Sequence, residues 1–365
     1  SSGQIDPAFG AGSGRVTVQS GLRRAAAAAV DGAGRIYVAG DADDPVDADL
    51  EFGVQRLTAA GALDAGYGSG SLVRVAFDQV ALGDDQAFGL AVAADGTAYV
   101  VGQVDFGGGD TDMGVANLDP NGAPVGAFDV DGRRTYPFDL DPGNLRADVA
   151  QDVALDGTRL VLAGYATRGD GTRLAAVVVA SSTSGAVDTT FCAAGACNAP
   201  GQDSVVVSPG GRTLPFDLGA DSSTAVAVAV RASNRGGQIA IVGDANFAGT
   251  PRPALAVMQS DGTFAARPFR LAKGNPVQPP GRFVSFLDGP GAWTAVAHDA
   301  TRNRWLIAGD ASGDNGEVLA IVAQADTAPD LVADFSEFGA INRLVFKAFT
   351  PERTRVADAA IDGEG

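Results

Sequence analysis

The chain has 365 residues, a formal net charge of −18 and an isoelectric point near 4.3. Such an acidic chain is not expected to bind nucleic acid or an anionic membrane surface, because both would repel it. Hydrophobic residues make up 45% and charged residues 19% of the sequence, which predicts a folded core. No stretch approaches the roughly 18 consecutive apolar residues of a membrane span, so none is expected.

One apolar segment closed by glycine recurs along the chain, and we name it strand C. Its copies are Arg35–Gly40 (RIYVAG), Thr97–Gly102 (TAYVVG), Arg159–Gly164 (RLVLAG), Gln238–Gly243 (QIAIVG) and Arg304–Gly309 (RWLIAG). The closing glycines lie roughly 60 to 80 residues apart, a spacing that indicates a repeat architecture. Each copy is therefore one strand of a repeated unit.

Three further strands are predicted in every repeat. Strand B precedes strand C across a short turn rich in Asp, Gly and Asn, which is a strong hairpin signal. Strand D follows strand C, and strand A follows strand D after a second turn. Strand B is predicted at 25–30, 87–93, 149–155, 224–230, 293–298 and 355–361; strand D at 52–57, 113–118, 174–179, 254–258 and 318–323; strand A at 15–19, 73–78, 133–139, 212–217, 282–288 and 343–349.

A short motif ending in an aromatic residue separates strands D and A. It reads IDPAFG at 5–10, LDAGYG at 63–68 and VDTTFC at 187–192. The alanine-rich segment before Val30 has helical propensity, but its counterparts in later repeats alternate with a period of two, as strands do. The sequence therefore predicts an all-β protein.

Taken together, these segments resemble the bacterial delta-60 repeat, which occurs in secreted and surface proteins and is similar to β-propeller blades. The match is close over 5–62 and 63–122 and weaker afterwards, where insertions occur at 193–211 and 265–281. The order of the segments also resembles the WD-type blade. That resemblance implies that strand B is innermost in each blade, followed by C, D and A.

We therefore expect a single β-propeller domain over 1–365, built from six four-stranded blades. The predicted repeats are 5–62, 63–123, 124–186, 187–263, 264–329 and a partial repeat at 330–365. The N-terminal strand, about 14–19, would complete the last blade and remove an open sheet edge. Because the sixth repeat stops where its strand C should begin, either the natural chain continues or another chain supplies the missing strands.

The two cysteines, Cys192 and Cys197, are close together in a loop segment, FCAAGAC. Two thiols and one distant histidine cannot form a four-ligand zinc site. A local disulfide is the favoured interpretation and two free thiols the alternative. A disulfide would place the protein in an oxidising compartment. The N-terminal sequence looks like one left after signal-peptide removal, so we expect a secreted, periplasmic or surface-exposed bacterial protein.

Aspartates concentrate in the predicted C–D and A–B loops, which should emerge on the same face. This face is the candidate calcium site or acidic contact surface, and its candidate residues are Asp41, Asp43, Asp105, Asp110, Asp112, Asp139 and Asp141. Oxygen-rich clusters suit Ca²⁺, yet none of these segments fits the twelve-residue calcium loop. The alternative is that these are solvated turn aspartates.

No catalytic residue is predicted. His298 is the single histidine, so a Ser-His-Asp triad could use no other, and we expect a structural role for it. Trp293 and Trp305 lie on neighbouring strands and suit either a sugar-stacking platform or a structural cross-strand pair. The arginines that open several A and C strands are expected to have a blade-packing or turn role against nearby aspartates, and not to bind substrate.

The leading hypothesis is a secreted or cell-surface, non-enzymatic binding or structural module. Its acidic loop face would contact basic protein, a cation or polysaccharide. One alternative is a propeller glycan hydrolase or lyase that uses channel-facing aspartates. Another is a subunit of an extracellular assembly in which a second chain completes the last blade.

Overall fold

The structure is a computed structural model. It describes residues 5–17, 21–46, 49–140, 146–193, 197, 210–214, 225–233, 237–247, 249–265, 282–284, 291–299, 304–312 and 318–326. No α-helix occurs in these ranges, and the chain is all-β there, as predicted. The described part also contains no helix that is long and apolar enough to cross a membrane.

Nineteen strands are described, and they form five antiparallel sheets. The first eight strands are β1 (Leu22–Val30), β2 (Ile36–Asp43), β3 (Leu50–Leu57), β4 (Leu72–Val75), β5 (Gln86–Val92), β6 (Ala98–Gly107), β7 (Asp110–Leu118) and β8 (Arg133–Tyr136). They form two sheets, with strand orders β1-β2-β3-β4 and β5-β6-β7-β8. Each sheet is a simple meander, in which consecutive strands pair.

The other eleven strands continue this pattern. They are β9 (Asp148–Asp156), β10 (Arg159–Thr167), β11 (Arg173–Ser181), β12 (Gly211–Leu214), β13 (Ala225–Ser233), β14 (Gln238–Phe247), β15 (Thr250–Gln259), β16 (Arg282–Val284), β17 (Gly291–Asp299), β18 (Arg304–Ser312) and β19 (Val318–Asp326). Their sheet orders are β9-β10-β11-β12, β13-β14-β15-β16 and, with three described strands, β17-β18-β19.

The predicted strand order B, C, D, A is confirmed in the four complete sheets, where strand A pairs with the strand D that precedes it in the chain. Each sheet thus spans a boundary between two predicted repeats, and we call the strands B, C, D and A of one sheet a structural repeat, or repeat for short. Two predicted segments, strand A at 343–349 and the sixth repeat at 330–365, lie outside the described residues. The N-terminal segment differs from its prediction, because residues 15–17 are not in a strand. Residues 18–20 lie outside the described part, so the closing strand and the six-bladed ring stay predictions.

The described residues belong to two compact units. The first consists of Ser1–Phe138, Leu145–Val153 and Ser181–Ala186, and the second of Asp139–Asn144, Ala154–Ala180 and Val187–Gly365. Each unit has its own apolar core. Tyr37, Phe52 and Phe77 contribute to the first core, and Val177, Phe191 and Ile241 to the second.

The glycine that closes strand C does not end the strand, as its position in the sequence suggested. Strand C continues past it by several residues, to Asp43 in the first repeat and to Gly107 in the second. Opposite this glycine, strand B carries a β-bulge between residues 25 and 27, 87 and 89, and 293 and 295. A β-bulge inserts one extra, unpaired residue into strand B and bends the strand there.

The bulge explains why the residue is glycine. A Cβ atom on Gly40, Gly102 or Gly309 would overlap the carbonyl oxygen of Arg24, Gln86 or Ala292 respectively. None of these three glycines has a positive φ in the structure, so the requirement is space and not backbone conformation. The recurring glycine is therefore the contact point between strand C and the bulged strand B.

Adjacent repeats are joined by the aromatic motif between strands D and A. The residue after each aromatic donates its N–H to a carbonyl in the D–A turn of the next repeat. These bonds are Gly10 to Ala60 at 2.9 Å, Gly68 to Asn121 at 2.9 Å, Asp129 to Ser184 at 3.2 Å and Cys192 to Asp261 at 2.8 Å. All four donors have positive φ. We call this contact the inter-repeat lock.

The aromatic ring of the motif completes the lock by covering a glycine in the same turn. A Cβ atom on Gly122 would lie 3.1 Å from the ring of Tyr67, and one on Gly185 would lie 3.1 Å from the ring of Phe128. Tyr67 and Phe128 are both fully buried. The motif predicted from the sequence is thus the packing contact between neighbouring repeats.

We expect Gly102→Ala to lower the free energy of unfolding by about 3 kcal/mol or more, because the new Cβ would collide with the Gln86 carbonyl in a closely packed sheet. Gly126→Ala is the matched control. A Cβ at position 126 would meet its nearest atom, the Val130 carbonyl oxygen, at an ordinary contact distance of 3.5 Å. Urea unfolding of both variants measures the difference, and equal losses would refute the role of Gly102.

Candidate acidic site

Asp41 is buried and makes a structural contact. Its side chain is 6% exposed, and its two carboxylate oxygens accept hydrogen bonds from Arg24 Nε at 2.7 Å and Arg24 Nη2 at 3.0 Å. It also accepts the N–H of Ala87, on the neighbouring sheet of the first unit, at 3.2 Å. The Asp41 carboxylate therefore has three donors, two from the Arg24 guanidinium and one from the main chain. Asp41 therefore links strand B of one repeat to strand B of the next.

The other predicted aspartates occupy different environments. Asp43 forms an exposed ion pair with Arg23 at 3.3 Å. Asp105 accepts the N–H of Gly107 at 2.7 Å and so shapes the β6–β7 turn. Asp110 and Asp112 lie on β7, where Asp112 is buried. Asp139, in the second unit, is exposed with a φ of 39°; Asp141 lies outside the described residues.

A buried glutamate that the sequence interpretation did not include lies at the loop end of the first sheet. Glu51 is the second residue of β3 and is 8% exposed. It accepts no hydrogen bond from the described residues. Three aspartates act on it electrostatically, and Arg74 opposes them. We call Asp44, Asp49, Glu51 and Asp78 the Glu51 cluster.

The Glu51 cluster forms because the C–D and A–B loops of the first repeat meet, as predicted. The N–H of Leu50 donates to Asp84 Oδ1 at 3.0 Å, and the N–H of Asp85 donates to the Leu50 carbonyl at 2.7 Å. The Arg74 side chain donates from Nε to the Asp43 carbonyl at 3.0 Å. These bonds bring the two loops together at the N-terminal end of β3.

The environment changes the proton affinity of Glu51. Burial raises its pKa to about 7, and the negative charges of Asp44, Asp78 and Asp49 add to the effect. Arg74 works in the opposite direction. Glu51 is therefore partly protonated at neutral pH.

Asp85 is a second buried carboxyl close by. Burial raises its pKa to about 6, although the N–H groups of Asp105 and Phe77 donate to its oxygens at 3.0 Å each and favour the ionised form. The negative charge of Asp78 adds to the increase. Asp148 has the corresponding role in the next repeat, accepting the N–H of Phe138 at 2.7 Å. These aspartates anchor the A–B loop to the end of strand A.

Sequence reasoning could have found Glu51 from its repeat partner. The segment EFGV at 51–54 aligns with DMGV at 112–115, and Asp112 was already a candidate. Both acidic residues are 8% exposed. Glu51 was missed because it lies inside a strand and not in the loop, where the aspartates were sought.

Within the described ranges, no three histidine, cysteine or acidic side chains are arranged to hold a metal ion. The predicted Ca²⁺ site therefore stays a prediction, and it has no ligand set among the described aspartates. Several turn aspartates instead cap backbone N–H groups; for example, Asp119 accepts from Asn121 and Ala123 at 2.8 Å.

The tryptophans are not a surface platform. Trp293 is 4% exposed and Trp305 is fully buried. They are not directly opposite each other either, because Trp293 pairs with Gly309 and Trp305 pairs with His298. The His298 and Trp305 rings lie 4.8 Å apart, centroid to centroid. The structural role expected of His298 agrees with this packing.

Three of the strand-opening arginines pair with nearby aspartates, as predicted. The pairs are Arg35–Asp31 at 2.6 Å, Arg133–Asp131 at 2.8 Å and Arg159–Asp188 at 3.3 Å, together with Arg159–Asp156. Two of these arginines also reach the following repeat within their own unit, since Arg35 donates to the Asp95 carbonyl and Arg159 to the Ser260 carbonyl. Arg35 and Arg159 therefore connect neighbouring repeats as well as the turns in which they lie.

The predicted disulfide between Cys192 and Cys197 is present, and both residues are buried. It covers the next D–A turn, where a Cβ on Gly262 would lie 2.7 Å from Cys192 Sγ and 3.0 Å from Cys197 Sγ. The disulfide thus belongs to the inter-repeat lock of the second unit.

No family model matches the chain, and no curated protein sequence is significantly similar to it. Solved structures do match, at low similarity. A polysaccharide lyase of the ulvan lyase family PL25 is 11% identical with a TM-score of 0.44, and the match covers 84% of this chain and 67% of the lyase.

Two further matches are to Bacteroides proteins. The extracellular domain of a putative one-component system from B. thetaiotaomicron is 13% identical, with a TM-score of 0.35 and coverage of 85% of this chain and 33% of that one. A glycosyl hydrolase from Bacteroides ovatus is 11% identical, with a TM-score of 0.34 and coverage of 83% of both chains. TM-scores this low establish neither a common fold nor a common activity.

We expect Glu51→Gln to stabilise the protein at pH 8 and to have little effect at pH 4. Since the pKa of Glu51 is raised from 4.5 to about 7 on folding, its favourable contribution is complete below pH 4.5 and is lost as the pH rises to 7. The gain from the neutral glutamine at pH 8 is therefore up to roughly 3 kcal/mol. Urea unfolding across pH 4 to 8 tests this, and a pH-independent difference would contradict it.

We expect Asp41→Ala to cost about 2 kcal/mol of unfolding free energy, because it leaves Arg24 and the Ala87 N–H without their shared acceptor. Asp43→Ala is the matched control two residues along the same strand. Its ion pair is exposed, so its loss is expected to stay within about 0.5 kcal/mol. Equal losses in thermal or urea unfolding would show that Asp41 is not the structural link.

Proposed function

We propose that the protein is a secreted or surface-exposed β-propeller binding module, and that the Glu51 cluster end of its first unit binds a cationic partner. The observation that carries this proposal is the concentration of carboxylates around a buried, unpaired glutamate. Three aspartates act electrostatically on Glu51, and Arg74 is the opposing charge. Such a surface attracts cations and repels anions.

The partner we propose is a basic protein surface, since lysine and arginine side chains supply several positive charges at the spacing of neighbouring carboxylates. Net charge supports this, because the chain carries −18 overall. A disulfide fits an oxidising compartment and hence secretion. The resemblance to delta-60 repeats supports the same setting and the closed, six-bladed arrangement.

Binding to immobilised poly-lysine at low ionic strength tests whether the Glu51 cluster binds a cationic partner. We expect the double variant Glu51→Gln/Asp78→Asn to bind at least threefold more weakly at pH 8. Wild-type binding should also weaken between pH 8 and pH 5.5, because Glu51 takes up a proton on the way.

The comparison matched in charge is between two single variants, Asp78→Asn at the Glu51 cluster and Asp170→Asn at an exposed turn of the second unit. Asp170→Asn should bind as the wild type does. If both variants lose the same affinity, net charge alone explains binding and the site is wrong. The calcium prediction is tested in parallel, since an unchanged melting temperature after addition of excess chelator would exclude a stabilising Ca²⁺ ion.

A glycan hydrolase or lyase is the second candidate, and one observation favours it. Glycoside hydrolysis needs one protonated and one ionised carboxyl group at the same site. Glu51 has a pKa of about 7, and the negative charges of Asp44, Asp78 and Asp49 act on it. Glu51 would be the acid and Asp78 the candidate base.

Turnover on a panel of plant and algal polysaccharides separates the two candidates. Release of reducing or unsaturated sugar ends by the wild type, lost in both Glu51→Gln and Asp78→Asn and retained in Asp170→Asn, would establish the enzyme in place of the binding module. Under our proposal the wild type releases none. The third alternative, an assembly subunit, predicts elution as an oligomer in size-exclusion chromatography at high concentration.

A further inference from the structure

A buried arginine in the second unit has no acidic partner among the described residues. Arg212 on β12 is fully buried, and its Nε and Nη1 donate to the carbonyls of Thr213 and Gly262. Its Nη2 atom is buried without a hydrogen-bond partner in the described part. The guanidinium carbons of Arg212 and Arg282 each lie 4.4 Å from the centre of the Phe264 ring. Arg282 is also buried, at 1% exposure.

The strand register identifies the residues that correspond to Arg212 in other repeats. In three of the four complete sheets this position pairs with the corresponding valine of strand D: Val54 with Val73, Val115 with Arg134, and Val177 with Arg212. The first repeat thus has an apolar residue here, and the next two have arginines. A charge at this position is not required to form the sheet.

Arg134 has a counter-ion, whereas Arg212 has none within the described ranges. Arg134 forms an ion pair at 2.9 Å with Asp129, the residue that donates its backbone N–H in the inter-repeat lock. In the second unit the corresponding lock residue is Cys192, which has the same positive φ and is oxidised to the disulfide. Cys192 therefore stands where the repeat of Arg134 has Asp129, the residue whose carboxylate pairs with the arginine.

The missing carboxylate leaves a buried positive charge. Burial and the charge of Arg282 lower the pKa of Arg212 to about 10, so the guanidinium stays protonated at neutral pH. Buried charges in proteins are normally paired, because an unpaired one loses its hydration without compensation. The free N–H edge of Arg212 is thus a donor that needs an acceptor.

We propose that a small oxyanion binds at Arg212 in the place that Asp129 takes at Arg134, and that it stabilises the second unit. The Phe264 ring covers a face of the guanidinium, so the ligand must approach along the N–H edge, which suits the oxygens of a sulfate, phosphate or carboxylate group. Complete burial of Arg212 limits the ligand to a small anion that is enclosed on folding.

Thermal unfolding in sodium sulfate, sodium acetate or sodium chloride at constant ionic strength tests the proposal. We expect the wild-type Tm to rise by roughly 2 °C for each tenfold increase in the bound oxyanion above its Kd. A response to sulfate indicates a tetrahedral oxyanion and a response to acetate a carboxylate, while chloride gives the baseline. No response to sulfate or acetate would overturn the proposal.

Two variants separate binding from a general salt effect. Arg212→Val should lose the oxyanion response. Valine is the residue that the first repeat has at the corresponding position, Val73. Arg134→Val should keep it, because Arg134 already has Asp129. Equal responses in Arg212→Val and the wild type would refute the site. If Arg212→Val does not fold, Arg212→Met removes the charge with less loss of volume, and the same two outcomes apply.

Discussion

The close approach of strands B and C is the constraint on which each repeat depends. The bulge in strand B brings a backbone carbonyl to the position that a Cβ of strand C would fill, so strand C must carry glycine there. A bulge increases the local twist of the strand that carries it. It therefore fixes how strand C pairs with strand B, and the strands that follow take their register from this pair. The loops beyond strand C, including the one that contributes to the Glu51 cluster, start from this fixed geometry.

Several arginines and aspartates in the described part join neighbouring repeats. Arg35 and Asp31 stabilise one turn and reach the next, and Asp41 ties Arg24 to the backbone at Ala87. Two places depart from this pairing, with opposite sign. Glu51 is a buried carboxyl among other carboxylates, and Arg212 is a buried guanidinium beside another arginine. An imbalance of buried charge is costly to folding, which is why both places are where we expect ligands.

The sequence was sufficient to predict the strands themselves, because the period of the repeat and the Asp-Gly turns are local signals. Their order in the sheet followed from the resemblance to the WD-type blade. The sequence was also sufficient for the disulfide, since two cysteines in one loop leave few alternatives. The bulge opposite Gly40 was not predictable, because it depends on which residues face each other across two strands. The same reason applies to Trp293 and Trp305, because the observed register pairs Trp293 with Gly309 and Trp305 with His298, not with each other.

The acidic site was predicted only in outline. Loop aspartates give a recognisable composition, but the sequence does not show which of them meets an arginine. Asp41 does so through Arg24, seventeen residues earlier on the adjacent strand. The proton affinity of Glu51 depends on burial and on carboxylates brought from two loops, so it is a property of the folded chain.

The inter-repeat lock has a consequence for how such a chain tolerates change. The acceptors of the lock are main-chain carbonyl oxygens. They belong to four residues whose side chains differ in chemistry: Ala60, Asn121, Ser184 and Asp261. A mutation at any of these acceptor positions leaves the oxygen in place, so copies of the repeat can drift apart in sequence there without losing their fit to each other. The lock also has a direction, from each motif to the turn of the following repeat. A duplicated repeat would therefore bring one new donor and one new acceptor, and the chain could lengthen without leaving an internal junction unmatched.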